Sequence, residues 1–249
     1  GFISISFLFT IFSSFSSFVY KDDLIFGIRK NDDESKEFWY HYPNNTCLTV
    51  DYLNNETFVN FALPNGLNVQ ILPKGEIAQK LINNPNHRII TSKASIINCF
   101  EDGSRHILYS NGNFCSIANG KAINTNNKGF RIEKDLSTGE LTPLDPIPIT
   151  IQSDTDSQTK TLIREDGVIT IKYPDNTSLT IHNDHTKIYT YAQDTNGNVQ
   201  YILEHNDFAT VNVFVSGEKR IYENKPIITE LAQKSIDGIV YQVLLPDKN

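Results

Sequence analysis

Apolar positions along this chain come in short runs that alternate with polar ones. Val168, Thr170 and Lys172 face one way, and Ile169, Ile171 and Tyr173 the other. Alternation at period two is the signature of a half-buried strand. The segments 105–109, 113–118, 178–182 and 187–192 have the same character: short, rich in Ile, Val, Tyr and Thr, and free of internal proline. Longer runs follow at 199–204, 210–215 and 239–245. At the start, Ile3, Ile5, Phe7, Phe9 and Ile11 alternate with Ser4, Ser6, Leu8 and Thr10. That pattern predicts a strand or strand-turn-strand over residues 2–19. A signal peptide fits less well, because no Lys or Arg precedes the segment and no small-residue cleavage pattern follows it. Six serines also dilute it below a membrane-spanning helix.

Turn signals separate these runs at a regular interval. Asn-Gly and Asp-Gly pairs stand at 65, 102, 111, 119, 166, 196 and 237, and weaker pairs at 74, 83, 175 and 183. Such dipeptides favour type I′ hairpin turns, which need positive φ at both central residues. Read in order, 65, 74, 83, a silent slot, then 102, 111 and 119 step by nine or eight residues. The triplet 166, 175, 183 repeats the step, and Asn44-Asn45 and Asn54-Asn55 extend it backward. Nine residues predict a strand of six or seven plus a two-residue turn.

The fold class expected is all-β or mainly β: an antiparallel meander of hairpin-connected strands in two sheets, with few short helices. A single open sheet rarely exceeds about ten strands. Residues 1–34 read as an N-terminal apolar strand segment and 35–140 as a first meander. Residues 141–160 read as a linker rich in Pro, Asp, Ser and Thr, with an edge strand at 149–151, and 161–249 as a second meander. Residues 76–82 and 226–236 are the helix candidates, the second with a proline at its start and a helical rhythm in Ile228, Leu231 and Ala232.

Composition narrows the function. A net charge of −7 argues against nucleic acid or an anionic membrane as partner. Three cysteines, Cys47, Cys99 and Cys115, without a C-x-x-C pair, predict reduced thiols and a cytosolic setting. Asn44, Asn55 and Asn176 open N-x-S/T triplets, which arise by chance in an Asn-rich chain. The absence of methionine suggests a piece of a longer polypeptide.

No motif places catalytic chemistry. His182 and His185 imitate H-x-x-H, but they flank the turn Asn183-Asp184, and the expectation is two exposed histidines without a zinc shell. Asp154, Asp156 and Gln158 imitate a calcium loop, yet Thr159 stands where its glycine belongs. The chain lacks a G-x-S-x-G elbow, a phosphate-binding G-x-x-x-x-G-K and a G-x-G-x-x-G. The cluster 38–43 with the sole tryptophan, Trp39, reads as a core strand among Tyr and Phe, with an exposed aromatic anchor as the alternative. No catalytic, cofactor-binding or metal-binding residue is assigned, and no cofactor is expected.

The run Ile163-Arg164-Glu165-Asp166-Gly167-Val168-Ile169-Thr170-Ile171-Lys172-Tyr173-Pro174-Asp175-Asn176-Thr177 resembles strand-turn-strand segments of the sperm-associated antigen 17 family. Leu63-Pro64-Asn65-Gly66-Leu67-Asn68-Val69 is similar. A weaker resemblance is to the centriolar G-box, a single-layer sheet that binds a partner peptide; Asn176 departs from its turn glycine. The first resemblance implies a non-catalytic scaffold or protein-interaction module in the central apparatus of a ciliary axoneme. Its partners would be proteins of a large, microtubule-associated assembly, with no nucleic acid, membrane or small-molecule substrate. The alternatives are a secreted or cell-surface β-repeat adhesion protein and, behind it, a β-rich glycan hydrolase.

Overall fold

The computed structural model of the 249-residue chain describes residues 3–5, 14–19, 24–30, 36–53, 56–91, 93–192, 199–222, 228–236 and 239–246. Among them every regular element is a strand. The first compact unit spans residues 1–85 and the second residues 86–247.

In the first unit, β1 (Ile3–Ile5), β2 (Ser14–Val19), β3 (Ile25–Lys30), β4 (Lys36–His41), β5 (Cys47–Leu53), β6 (Glu56–Ala62), β7 (Leu67–Ile71) and β8 (Ile77–Leu81) pair antiparallel, each with the next. The strand-turn-strand expectation at the start holds for the residues described there. The helix expected over residues 76–82 is instead β8, because its alternating burial fits a strand and its backbone pairs with β7. One face carries Phe26, Tyr40, Leu48, Phe61 and Val69 in a cross-strand row. Phe26 stacks on Tyr40 at 5.6 Å between ring centroids. The opposite face is polar. There the Asn60 amide donates to Thr49 and Asp51, and Gln70 donates to Asn60. Trp39 lies half-buried on this polar face, opposite Phe38 and Tyr40, and its indole covers Gly27. A Cβ at residue 27 would fall 2.4 Å from the ring, so the tryptophan requires a glycine as its cross-strand partner.

The second unit begins with β9 (His87–Ile90), β10 (Ile96–Cys99), β11 (Arg105–Leu108), β12 (Phe114–Ala118), β13 (Lys121–Thr125), β14 (Arg131–Asp135) and β15 (Leu141–Leu144). A different sheet starts after residue 148: β16 (Ile149–Ser153), β17 (Lys160–Arg164), β18 (Ile169–Lys172), β19 (Ser178–Ile181), β20 (Lys187–Thr190), β21 (Val199–His205), β22 (Phe208–Phe214) and β23 (Lys219–Tyr222). It ends with β25 (Ile239–Pro246) parallel to β23 and β24 (Ile228–Ile236) outside it. Thus the second helix candidate is also a strand over 228–236, paired antiparallel with β25 through a register shift between Glu230 and Ala232; Pro226 lies outside the described residues. The 141–160 stretch holds β15 and β16 and the change of sheet between them.

The turns differ in type from the two-residue I′ form expected. At Leu63, Leu72, Phe100, Tyr109, Asn126, Arg164, Tyr173, His182 and Phe214 the entry residue's N–H donates to the carbonyl four residues on. Its own carbonyl accepts from the N–H three residues on. These are three-residue loops with one residue at positive φ, the type I turn plus G1 bulge. The side chain before that residue makes the turn specific. Oδ1 of Asn65, Asp102, Asn111, Asp166, Asp175 and Asp184 accepts the N–H two residues further on. This Asx contact selects Asn or Asp at the position, and it does not need positive φ there. Asn119-Gly120 alone has positive φ at both residues of an Asn-Gly or Asp-Gly pair among the described turns. The silent slot is also a turn: Ala94 sits at φ +57° between β9 and β10. The pairs at 196 and 237 lie outside the described residues.

Within the second unit the two sheets pack on each other. Ile90, Ile96 and Leu108 form a cross-strand row at most 1% exposed. Thr180, Ile188, Leu203, Val211 and Ile221 form another, at most 5% exposed. Burial of each Ile, Leu or Val contributes roughly 1.5–3 kcal/mol.

Candidate protein-interaction surface

Polar side chains tie the turns at one end of this packing across to the other sheet. Arg164, 3% exposed, donates through Nη1 to the carbonyls of Gly112 and Asn126 at 2.9 and 2.7 Å. Its Nε meets Asp166 at 2.7 Å. Thr180 donates to the Ser110 carbonyl at 2.6 Å. Asn98 donates to Asp184 at 2.7 Å. Arg88, 1% exposed, stacks over the Phe208 ring at 4.7 Å, and its guanidinium nitrogens have no hydrogen-bond partner among the described residues. Burial pushes Arg88 down to about 10, against the pull of Asp184.

The histidine pair expected to be exposed is divided by this arrangement. His185 is exposed and occupies the positive-φ position of its turn. His182 is 1% exposed, with Nε2 3.0 Å from the Tyr109 carbonyl. The turn needs a residue at its entry, and the opposite sheet supplies that residue with a carbonyl; this buries His182. Burial also holds His182 below the ordinary histidine value. No group of three metal-holding side chains occurs among the described residues. The imitation of a calcium loop is the β16–β17 turn, in which Asp154 accepts the Asp156 N–H at 2.9 Å. Its own hydrogen bonds, that from Ser157 foremost, hold the Asp154 carboxyl low.

Elsewhere in the unit apolar side chains are exposed. Phe130, Ile132, Leu136, Leu141 and Ile151 are 61, 36, 50, 57 and 52% exposed. Half of the ten large exposed apolar side chains among the described residues therefore fall between residues 130 and 151. Ile132, Leu141 and Pro143 share one face of the β14–β15 pair. A cleft of about 410 Å³ adjoins them, lined by Tyr109, Phe114, Phe130 and Arg131 among others. β15 pairs only with β14 and β16 only with β17, so each is a sheet edge. Sequence reading took residues 141–160 as a linker with an edge strand at 149–151; it anticipated β16 and missed β15. The signal was present: proline within a strand is confined to edges.

The fold and these surfaces define an all-β, hairpin-ladder protein with exposed apolar edges. No protein-family model and no curated protein matches the chain. Among solved structures, it is similar to the TCP10 domain of Danio rerio CPAP at 13% identity, covering 72% of this chain and 91% of that one, with a TM-score of 0.35. The CPAP G-box domain gives 12% identity over 77% and 99%, TM-score 0.34. The Drosophila melanogaster SAS-4 TCP domain, in complex with a proline-rich motif of Ana2, gives 13% over 66% and 89%, TM-score 0.24. The centriolar G-box, the weaker of the two resemblances in the sequence, is thus represented. At these identities and TM-scores the likeness assigns neither family nor function.

Proposed function

We infer that the chain is a non-catalytic, structural protein-interaction module that works as part of a larger protein assembly. The observation that carries this reading is the exposed apolar face of the β14–β15 pair, which bears Ile132, Leu141 and Pro143. Contiguous exposed apolar surface on a folded domain marks a place where another molecule sits. The two unpaired strand edges beside it support the same reading, since a free edge is a template for pairing with another chain. The assembly to test first is the central apparatus of a ciliary axoneme, on the strength of the turn sequences around Arg164–Thr177. The test is to tag the native protein, locate it in a motile ciliated cell and extract with detergent. Signal retained along the axoneme supports the location. Signal retained on another cytoskeletal structure keeps the module and moves its address. Signal at the cell surface or in the medium overturns the reading in favour of an adhesion protein.

A further inference from the structure

We propose that the free edge of β16 binds an extended segment of a partner protein in which apolar and acidic residues alternate, as an added strand. This deepens the interaction-module reading and rests on it. Three observations lead to it.

The first is register. The turn that closes β16 on β17 pairs Asp154 with Thr159, and at the far end the Glu165 N–H donates to the Pro148 carbonyl. Hydrogen-bonded pairs alternate along an antiparallel ladder. Thr150 and Gln152 therefore spend their backbone groups on β17, paired with Ile163 and Thr161. The N–H and C=O groups of Ile149, Ile151 and Ser153 point outward, and no hydrogen bond to them occurs among the described residues.

The second is that this edge lacks the devices that normally blunt one. β15 shows the contrast. Its hydrogen-bonded residues are Thr142 and Leu144, so Pro143 takes an outward position and removes a donor there. β16 has neither proline nor charge within Ile149–Ser153. Proteins ordinarily protect an open edge with such residues.

The third is side-chain chemistry beside the edge. Ile151, 52% exposed, pairs with Leu162 across the ladder. On the same face, two residues along, lies the row Ser153, Lys160, Lys172. Two lysines directly opposite repel each other. Both are exposed, and neither has an acidic partner among the described residues. Ser153 is small, so the Lys160 side chain has a clear path over it toward a new strand. A residue added opposite Ile151 would meet apolar surface, and one added opposite Ser153 would meet positive charge. A partner strand with an apolar residue and, two positions away, an acidic one satisfies both.

The experiment uses the full 249-residue chain and a capped, fluorescent eight-residue peptide alternating Val and Thr, with Glu replacing Val at two positions toward one end. A matched peptide carries Lys in place of Glu. Anisotropy should show saturable binding of the acidic peptide, at least tenfold tighter than the basic one and weakened by salt. Amide exchange at Ile151 and Ser153 should slow on binding. Ile151→Pro removes an outward N–H and leaves the Thr150 and Gln152 bonds in place; it should abolish binding with the far-ultraviolet spectrum and melting temperature retained. Should that variant unfold, the double variant Lys160→Glu and Lys172→Glu, which leaves the edge intact, should reverse the preference between the peptides. No binding of the acidic peptide, equal binding of both, or no reversal in the double variant overturns the proposal. Binding that survives Ile151→Pro overturns the edge and leaves the interaction module standing. The module itself falls only if the native protein is found outside any assembly.

Discussion

Most turns of the second unit are of one chemical kind, and the turns meet two fates. Arg164–Val168 and His182–Thr186 point into the packing of two sheets, where their entry side chains reach carbonyls on the other side. Phe100–Ser104, Asp135–Gly139 and Tyr173–Thr177 close outward, and their Asx contacts stay exposed. The local sequence of a turn thus sets its shape, and at two of the docked turns the entry side chain makes the crossing bonds. Most entry positions carry an apolar or aromatic residue, as at Leu63, Leu72, Phe100, Tyr109, Tyr173 and Phe214. Arg164, His182 and Asn126 are polar exceptions; the first two are buried and Asn126 is exposed.

The comparison breaks most sharply at Arg164. Arg164→Met strands one buried and one part-buried carbonyl and frees Asp166, and should destabilise by about 3 kcal/mol, given that a charged hydrogen bond contributes roughly 1.5–3. Arg88→Met should stay within about 1 kcal/mol of the parent, because that guanidinium makes no hydrogen bond and methionine keeps a contact with Phe208. Urea unfolding of the two variants side by side is the measurement. Equal losses would mean that burial alone, and not the crossing hydrogen bonds, holds the junction.

Glycines give the next largest contrast. Gly129, in an inward turn, has φ +82°, and a Cβ there would overlap the Ile147 carbonyl oxygen. Gly139, in an outward turn, has φ +78° and open space around it. Gly139→Ala should cost only the left-handed strain of about 1–2 kcal/mol. Gly129→Ala adds a backbone displacement and should cost at least about 2 kcal/mol more. Thermal melts of both variants decide it, and equal shifts would remove the close approach at Ile147 as a feature of the fold.

This difference also explains what the sequence could and could not reveal. The strand ladder was legible because each Asn, Asp and Gly acts on residues within four positions of itself. The docking was not, because its bonds join residues far apart, such as Asn98 with Asp184 and Arg164 with Asn126. Ala94 stayed hidden because alanine is an unusual choice at positive φ. The β16 edge was legible in part: the prolines before it pointed to an edge strand at 149–151, and the strand runs two residues further, to Ser153. His182 was misread because the Tyr109 carbonyl that buries it is likewise invisible to a local pattern.

Acid should loosen the inward side selectively. Burial holds His182, His205 and His106 below the ordinary value of 6.5. His205 shows the geometry: Nε2 lies 3.0 Å from the Asp184 carbonyl, and Nδ1 accepts the Asp207 N–H. A proton on Nδ1 would face that donor. Arg88 opposes protonation of His205 and Arg164 that of His182, while Asp184 favours both. The unfolded chain therefore takes up protons before the folded one does. Stability is present above pH 6.5 and falls as pH drops from there toward the lowered folded values. Urea midpoints at pH 7.5 and 5.5 should differ, and His205→Gln, which can donate to the same carbonyl, should narrow the gap. An unchanged gap in that variant would remove His205 from the effect.

The smallest expected effect lies in the outward turns, and it sharpens the contrast from the other end. Asp175 accepts both the N–H and the hydroxyl of Thr177, at 2.9 and 2.6 Å, in a fully exposed turn. The Thr177 hydroxyl bond, first among its causes, holds the carboxyl below its ordinary value. Asp175→Ala leaves Pro174 to set the first turn angle and Asn176 to hold positive φ. Water replaces the lost acceptor at once, which it cannot do for the carbonyls that Arg164 serves. The melt of this variant should move less than that of any inward substitution, and its stability should lose part of the dependence on pH below about 4. A loss as large as that of Arg164→Met would show that outward turns carry the fold as much as inward ones, and the distinction between them would fail.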